Sequence, residues 1–511
     1  MFTPAISTDH LQFLNQFWWS LFILVPMVLV ARTVVAGTRY SPILIIVIFG
    51  LTMGFMLTIS GVTAPALPEF PLIDILSRTT IIALAATFFV GGQQIRRMFS
   101  KNPVPKDESV TYSMEEVVLG TPRTYFFFIL RSFFLLLGIE ALYKFLLGIT
   151  PANAIGLYYP LIAYLGLVIS MILIDNRAII ENKRVYLGRG LMEIVGITLV
   201  LMAAYLIAVS VKPLIALPQI FFVMILSSGL GMALYRLKHG PTLRSLLFAG
   251  IPIILAANFL IGGSLIRGAF AIEGIAPVLM YGFFGQILWM FGGISLLMLL
   301  GKTAAVRNLA PGMAGALSHA GLTGACTAGD LGEEASRRAP VMINIPFFGH
   351  IFVFSILALS VERGGLLLVP VIVVGLVGVL LSAAAFRALR KAEGEERKEV
   401  TGLMLFSFGW QLTAIFFGFL LLSNLPLSYA AMAKSSALSH FGLFAALQGG
   451  MFGSEAAALI SFVFAMPFLV HPFVFFLFGR GMENNGEMPR LPVYILAVIG
   501  LAGVLFGLFW L

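Results

Sequence analysis

The sequence predicts an all-α polytopic membrane protein with about 14 transmembrane helices, two re-entrant or broken helices and an inverted repeat in its C-terminal half. Three observations lead to this fold class. Hydrophobic residues make up 59% of the 511 positions and charged residues only 11%, whereas a soluble protein carries about 25% charged residues. Apolar runs of about 20 residues, long enough to cross a bilayer core of about 30 Å, recur along the chain. Two stretches of the C-terminal half also match each other.

The composition excludes several other classes of protein. Glycine (52 residues) shows no period of three, which excludes a collagen, and the single cysteine, Cys326, excludes a disulfide scaffold. The net charge of +9 would suit a nucleic-acid partner only if the basic residues shared one soluble face. They are spread instead over short loops between apolar runs, as membrane orientation requires. We therefore expect the lipid bilayer, and no nucleic acid, as a partner.

Fourteen apolar runs are predicted to span the membrane. The first nine lie near 17–37, 41–63, 76–95, 124–148, 152–174, 190–210, 213–235, 243–263 and 277–301. The last five lie near 340–360, 366–386, 401–423, 455–479 and 491–511. Within one of these runs, Glu140 and Lys144 are four residues apart, and this spacing predicts that they pair on one helix face.

Two further stretches, 309–329 and 427–452, are apolar but contain Gly, Ser and His, and each is followed at once by another span. If both turn back inside the membrane, twenty-five lysines and arginines fall on one side, and four fall on the other: Lys212, Arg267, Arg363 and Lys434. Short basic loops stay in the cytoplasm. The bias therefore favours re-entrant segments, with both termini outside. We expect the protein in the plasma (inner) membrane of a prokaryote.

An internal repeat defines the organisation of the C-terminal half. At an ungapped offset of 121, residues 316–354 match residues 437–475 at seventeen of thirty-nine positions. The chain therefore divides into an N-terminal membrane region (1–270), which is a scaffold or a pair of diverged repeats, a first repeat copy (277–390) and a second copy (401–511). Three spans and one re-entrant segment in each copy would give the copies opposite orientations, an arrangement typical of secondary transporters.

The repeat supplies the candidate residues for binding a solute or an ion. Glycines allow tight turns and close approach of the backbone to a ligand, and prolines free backbone groups by opening a helix. Helical spacing predicts one polar stripe in the first copy, formed by His319, Thr323, Thr327, Asp330 and Glu334. The candidate binding residues are Ser318, His319, Gly321, Thr323, Gly324, Asp330, Glu334, His350, Ser439, His440, Gly442, Gln448, Glu455 and His471.

Four of the six histidines occupy repeated positions, and two interpretations of them stay open: His319, His350, His440 and His471. As solute-site or structural groups, they would satisfy backbone groups freed at helix breaks. As metal or haem ligands, they would supply nitrogen donors, and Glu334 and Glu455 would add oxygen donors. The chain has no H-x-x-H, C-x-x-C or H-E-x-x-H spacing, which favours the first interpretation and predicts no cofactor.

The repeat also supports a comparison with known carriers. LSHAGLTGACTAGDLGEEA (317–335), followed by NIPFFGHIF (344–352), resembles the glycine-rich re-entrant loops and the following P-x-x-G helix of the glutamate:sodium symporter and 2-hydroxycarboxylate symporter families. LAATFFVGGQQI (84–95) is similar to their first core helix. Where those families have a GG-x-G loop, this chain has Ser-His in both copies.

The resemblance covers about a third of the chain. It implies a scaffold and a transport domain that move past each other, sodium or proton coupling, and a homodimer. It also implies that the ligand loops include Ser318, Gly321, Thr323, Gly324, Ser439 and Gly442.

These observations predict a cation-coupled (sodium or proton) secondary transporter of a small organic solute, which we expect to be anionic. The chain has no G-x-x-x-x-G-K-[ST] motif for ATP. It also has no Ser/His/Asp order or paired carboxylate motif, and we therefore predict that it is not an enzyme. The alternative is a metal- or haem-binding membrane protein, acting as a redox protein, a sensor or a transition-metal carrier, that uses the repeat histidines.

Overall fold

The computed structural model describes residues 8–59, 79–100, 122–149, 161–169, 183–269, 272, 274–299, 305–392, 395–464 and 466–510. Within these ranges the regular elements are all helices, and β-pairing is limited to two isolated bridges, Ala305 with Glu487 and His319 with His440. This confirms the all-α prediction for the described residues.

The described residues of the N-terminal region form eight numbered helices and one further helical stretch. They are α1 (Thr8–Val35), α2 (Pro42–Ile59), α3 (Thr80–Phe99), α4 (Pro122–Leu146), α5 (Lys183–Val211), α6 (Gln219–Ala233), α7 (Pro241–Ser245) and α8 (Ile251–Ala269). A π-helical turn, Leu246–Gly250, joins α7 to α8. Residues 161–169 are also helical, and the rest of the predicted span 152–174 lies outside the described residues.

The C-terminal region contributes two units of similar helix order. The first unit holds α9 (Ala276–Met298), α10 (Val306–Leu317), α11 (Ala320–Thr327), α12 (Glu333–Glu362) and α13 (Leu368–Arg390). The second unit holds α14 (Glu396–Leu421), α15 (Leu427–Leu438), α16 (Phe441–Gln448), α17 (Ser454–Val463), a 3₁₀ turn (Met466–Leu469), α18 (His471–Glu483) and α19 (Arg490–Trp510).

Nine helical segments of the described residues are long and apolar enough to cross a membrane. They are Pro42–Ile59, Tyr125–Leu146, Gly188–Val211, Pro241–Ile266, Ala276–Met298, Glu333–Glu362, Leu368–Arg390, Glu396–Leu421 and Arg490–Gly507. Two further predicted spans correspond to shorter apolar helices, Ser20–Val35 and Gln219–Ala233. The predicted span 455–479 is divided between α17, the 3₁₀ turn and α18.

The two stretches 309–329 and 427–452 form helical hairpins, which we call the first hairpin (α10 and α11) and the second hairpin (α15 and α16). In the first hairpin, Arg307 at the start of the inbound helix α10 pairs with Glu334, which follows the outbound helix α11, at 3.3 Å. In the second hairpin, the hydroxyl of Tyr429 donates to Glu455 at 3.2 Å. Each hairpin therefore begins and ends at the same end of the bundle.

The two hairpins begin at opposite ends. The first starts at the end of the bundle where Arg337 contacts Glu396 and Arg338 lies 3.5 Å from Glu399, and we call this the basic end. The second starts beside Gly274, where a Cβ would lie 4.0 Å from the ring of Tyr429. Helix α9 connects the two ends, and its 23 residues span about 35 Å.

Close approach of α13 and α14 fixes how the two units join. A Cβ on Gly378 would lie 2.6 Å from the backbone nitrogen of Thr413, and one on Gly402 would lie 2.7 Å from Leu389. The helices are therefore antiparallel, and only glycine allows the backbones so near to each other. Because α13 ends and α14 begins at the basic end, the second unit starts at the end where the first unit finishes.

Candidate functional site

The tips of the two hairpins meet in the buried centre of the C-terminal region. The backbone N–H of Ala320 donates to the carbonyl of Ser439 at 3.0 Å, and that of Phe441 donates to the carbonyl of Ser318 at 3.3 Å. These bonds flank His319 and His440, which form an antiparallel bridge. All four side chains of the Ser-His pairs are buried. The structure thus brings the two repeated Ser-His pairs into direct contact.

Serine and histidine each have a local role at the tip. Ser318 and Ser439 end α10 and α15 in the left-handed conformation, with φ of 52° and 51°, a position usually taken by glycine or asparagine. The following histidine caps the next helix: Nδ1 of His319 accepts from the backbone N–H of Leu322 at 3.1 Å. In the second hairpin, Nδ1 of His440 accepts from Leu443 at 3.0 Å. The tip conformation is therefore encoded in both copies.

Backbone partners also decide which ring nitrogens carry hydrogen. Because Nδ1 of each tip histidine accepts a hydrogen bond, the neutral ring must carry its proton on Nε2. His350 and His471 are the reverse case, since their Nδ1 atoms lie 3.2 Å from the carbonyls of Pro346 and Pro467 and donate to them. The tip histidines thus present Nε2–H donors, and the helix histidines present Nε2 acceptors.

The four imidazoles form two pairs, and each pair joins the two units. His319 of the first hairpin lies 4.6 Å, between ring centroids, from His471 of the second unit. His440 of the second hairpin lies 4.6 Å from His350 of the first unit. The hydroxyl of Ser439 is 3.5 Å from Nε2 of His471. Separation of the tips would therefore change the surroundings of all four rings.

Two glutamines that the sequence analysis missed complete this centre. The side-chain amide of Gln286 on α9 contacts Nε2 of His319 at 3.0 Å and Nδ1 of His471 at 3.2 Å. The amide of Gln411 on α14 contacts Nδ1 of His350 at 3.3 Å. Each glutamine thus contacts the helix histidine of the other unit. A polar residue in the middle of a predicted span was the available signal.

Two buried ring nitrogens at this centre have no hydrogen-bond partner among the described residues. They are Nε2 of His350 and Nε2 of His440. An unsatisfied buried polar group costs about 1–3 kcal/mol, and such groups in a folded protein require an explanation. A polar ligand that entered between the tips would find both donors and acceptors there.

The remaining small residues of the tips are tightly packed. A Cβ on Gly321 would lie 2.9 Å from the ring of His471, and one on Gly442 would lie 3.0 Å from Nε2 of His350. Gly324 is packed against Ile43 and Ile251 of the N-terminal region. Thr323 is buried on α11 near the tip, and its carbonyl accepts from the hydroxyl of Thr327 at 2.7 Å.

The acidic candidates lie away from the tips, and the single polar stripe predicted from helical spacing is wrong. Helix α11 ends at Thr327, and Gly329 and Gly332 take positive φ values of 81° and 92°. These turns direct Asp330 toward Ser41, whose hydroxyl donates at 2.9 Å, and direct Glu334 toward Arg307. Neither carboxylate reaches the histidine pairs.

Asp330 instead connects the first hairpin to the N-terminal helices. Its carboxylate is 4.0 Å from the guanidinium of Arg32, which donates to the carbonyl of Phe248 at 3.1 Å. Burial raises the pKa of Asp330 above its ordinary value, and Arg32 and Ser41 oppose that shift. In the second hairpin, Gln448 ends α16, and Glu455 lies at the end of the bundle opposite the basic end.

Lys434 is a charged residue of this region that the sequence analysis assigned only to topology. It lies fully buried on α15, and its Nζ donates to the carbonyl of Ala414 at 2.6 Å and to the hydroxyl of Tyr281 at 3.3 Å. Nζ also lies 4.8 Å from the ring centroid of Trp289. A lysine inside an apolar stretch, with no acidic residue near it in sequence, was the signal.

The described residues contain no group of three or more His, Cys, Asp or Glu side chains placed to hold a metal ion. The four repeat histidines are arranged as two separate pairs, and Glu334 and Glu455 lie at the ends of the bundle. A metal or haem site on His319, His350, His440 and His471 stays a prediction that would need ligands from elsewhere.

No family model, no curated protein and no solved structure matches the chain.

Proposed function

We propose that this protein is a cation-coupled secondary transporter of a small anionic organic solute, and that its two C-terminal units form an inverted repeat. The observation that carries the proposal is the meeting of two helical hairpins, which start from opposite ends of the bundle and pair tip to tip. Re-entrant and broken helices that meet at the middle of the membrane are typical of secondary transporters.

The directions of the helices support the inverted repeat. Helix α9 runs toward the basic end, and its counterpart α14 runs away from it, since α14 begins where Glu396 contacts Arg337. The hairpins follow the same rule, because Arg307 and Glu334 meet at the basic end whereas Tyr429 and Glu455 meet at the other. Each element of one unit thus has a reversed counterpart in the other.

This arrangement provides a simple route to alternating access. Two backbone hydrogen bonds and the imidazole pairs hold the tips together. Withdrawal of the first hairpin would open the centre to the basic end, and withdrawal of the second would open it to the opposite end. Packed elements with two discrete arrangements are the usual basis of such a transition.

The chemistry of the centre favours an anionic solute. The Nε2–H groups of His319 and His440 are donors, and the buried amine of Lys434 lies on α15, the helix that ends at the second tip. The carboxylates of Asp330, Glu334 and Glu455 lie elsewhere, as described above. A carboxylate in the centre would therefore meet N–H donors and an amine that can take up a proton, without an opposing negative side chain among the described residues.

The test is uptake into proteoliposomes. Labelled pyruvate, succinate and glutamate would be offered under an inward sodium gradient, an inward proton gradient and no gradient. We expect gradient-dependent accumulation of at least one anion. Loss of the imidazole in His319→Asn or His440→Asn should abolish uptake, because asparagine can still cap the helix but cannot replace the ring.

His239→Gln is the matched control, since His239 is also buried but contacts Gln93 outside the tips. It should retain uptake. Accumulation that is absent under every gradient, or that is equal in the tip variants and the wild-type protein, would contradict the proposal.

A further inference from the structure

Lys434 is buried without a carboxylate partner among the described residues. The contacts of its Nζ are a carbonyl oxygen, a hydroxyl and the faces of Trp289 and Tyr281, at 4.8 and 5.3 Å from the ring centroids. An unpaired buried charge is costly. Cation–π contacts return only part of that cost. The charged form of this lysine therefore lacks a counter-ion.

The repeat shows that the buried position of the Lys434 side chain does not itself require a charged residue. At the offset of 121, Met313 of the first hairpin corresponds to Lys434 of the second, and Trp410 corresponds to Trp289. Met313 also lies beside its tryptophan: a Cβ on Gly293 would be 2.6 Å from Cε of Met313 and 2.7 Å from Nε1 of Trp410. Met313, an uncharged and unbranched side chain, thus fills the equivalent position in the first unit.

The elements packed around Lys434 present few other titratable groups that could exchange a proton with a ligand. Helix α9 presents Tyr281, and α14 presents the carbonyl of Ala414. His440 at the tip of the same hairpin interacts with Lys434 electrostatically. The titratable residue of α17, Glu455, is held by Tyr429 at the far end, and the 3₁₀ turn Met466–Leu469 presents none.

We infer that Lys434 makes the carrier a proton symporter: its amine takes up one proton when a carboxylate binds between the hairpin tips and returns that proton when the anion leaves. This inference rests on the proposed transport function and names its coupling ion. On binding, the amine becomes an ammonium group, and the bound carboxylate balances its charge. On release, the proton and the anion both depart, and the centre is neutral again. The complex that crosses therefore buries no net charge at this site.

If proton uptake and anion binding are linked, the affinity for the anion must depend on pH, and this dependence is the test. If one proton is taken up with each anion, the Kd of the purified wild-type protein for pyruvate, succinate or glutamate should rise about tenfold per pH unit in the range where the free amine is unprotonated. In proteoliposomes, anion entry should also alkalinise the external medium, which a pH-sensitive dye reports.

Three variants separate the outcomes. Lys434→Arg keeps a permanent charge, and we expect its Kd to change less than twofold per pH unit. Lys434→Met copies the residue that the first hairpin already uses, and it should lose both anion-linked proton movement and accumulation under a proton gradient. Met313→Leu is the matched control and should behave as the wild-type protein. Size-exclusion profiles and melting temperatures of all variants would establish that they fold.

The possible failures are distinguishable. Wild-type protein that moves none of the three anions under any gradient would overturn the transport function and this inference together. Anion transport with a pH-independent Kd, accumulation driven by sodium alone, or full proton coupling in Lys434→Met would overturn only the assignment of Lys434.

Discussion

The contact between the hairpin tips predicts a disulfide that would join the two units. His319 and His440 face each other as a non-hydrogen-bonded pair of the antiparallel bridge. The two backbone hydrogen bonds join the residues on either side of them, Ala320 to Ser439 and Phe441 to Ser318. In such a pair the Cα atoms are about 4.5 Å apart, within the range of about 4.4–6.8 Å that a disulfide requires. Replacement of both histidines by cysteine, with Cys326→Ala to remove the native thiol, should therefore allow spontaneous or copper-catalysed oxidation.

The magnitude follows from the length of chain that the bond would close. A disulfide across 121 residues stabilises the folded protein by about 5 kcal/mol in the chain-entropy model. Loss of two histidine caps costs about 1 kcal/mol each, so the oxidised variant should gain about 3 kcal/mol over the wild-type protein and about 5 kcal/mol over its own reduced form. The oxidised protein should melt at a higher temperature than the same protein after reduction.

The assay uses a protease site inserted between the units, next to the exposed Lys391. After cleavage, the two fragments should migrate together without reductant and separately with it. The matched control places cysteines at Thr327 and Gln448, the far ends of α11 and α16, which lie roughly 20 Å apart because each is about seven residues from its tip. Fragments that separate in the tip variant under oxidising conditions, or that stay joined in the control, would refute the tip-to-tip contact.

Two further predictions concern the directions of the hairpins and the pH dependence of stability. In the Cys326→Ala background, cysteines at Glu334 and Glu455 should react with an impermeant maleimide from opposite sides of the membrane; labelling of both from one side would contradict the opposite directions of the hairpins. Burial, followed by the charges of Arg97 and Arg244, lowers the pKa of His239 from 6.5 to about 3. The folded protein thus binds this proton less readily than the unfolded chain, and stability should fall as the pH falls from about 6.5. Between pH 7 and pH 5 the loss is about 2 kcal/mol, and the melting temperature of His239→Gln should fall less over that range than that of the wild-type protein.

The sequence was sufficient for features that depend on local or repeated patterns. Composition predicted a helical membrane protein, the spacing of Glu140 and Lys144 predicted their ion pair of 2.8 Å, and the repeat identified both Ser-His pairs. The hairpin turns were also visible as interruptions by small and polar residues. Each of these signals lies within a short stretch or in a comparison of two stretches.

Other features depend on chain reversals and on contacts between distant helices. The positive φ values of Gly329 and Gly332 end the helical register, so that Asp330 faces Arg32 rather than the histidines. Gln286 lies 185 residues from His471 in the chain, yet their side chains are 3.2 Å apart. Helical periodicity cannot predict either result, because it assumes that the helix continues and says nothing about its neighbours.

For the proposed transport function, the differences between the two units matter more than their likeness. The paired tips are nearly equivalent, but Asp330 ties the first hairpin to Arg32 and Ser41, whereas the equivalent Met451 is a partly exposed apolar residue. The buried lysine is in the second hairpin, at Lys434, and the first has Met313 there. If the units were chemically identical, withdrawal of either hairpin would cost the same and would respond equally to protons or solute. A ligand shifts an equilibrium only through its different affinity for the two states. In the proposed transporter, the unequal placement of Lys434 and Asp330 would therefore provide what an inverted repeat alone lacks: one hairpin that responds to charge at the centre, and another that is anchored at the basic end.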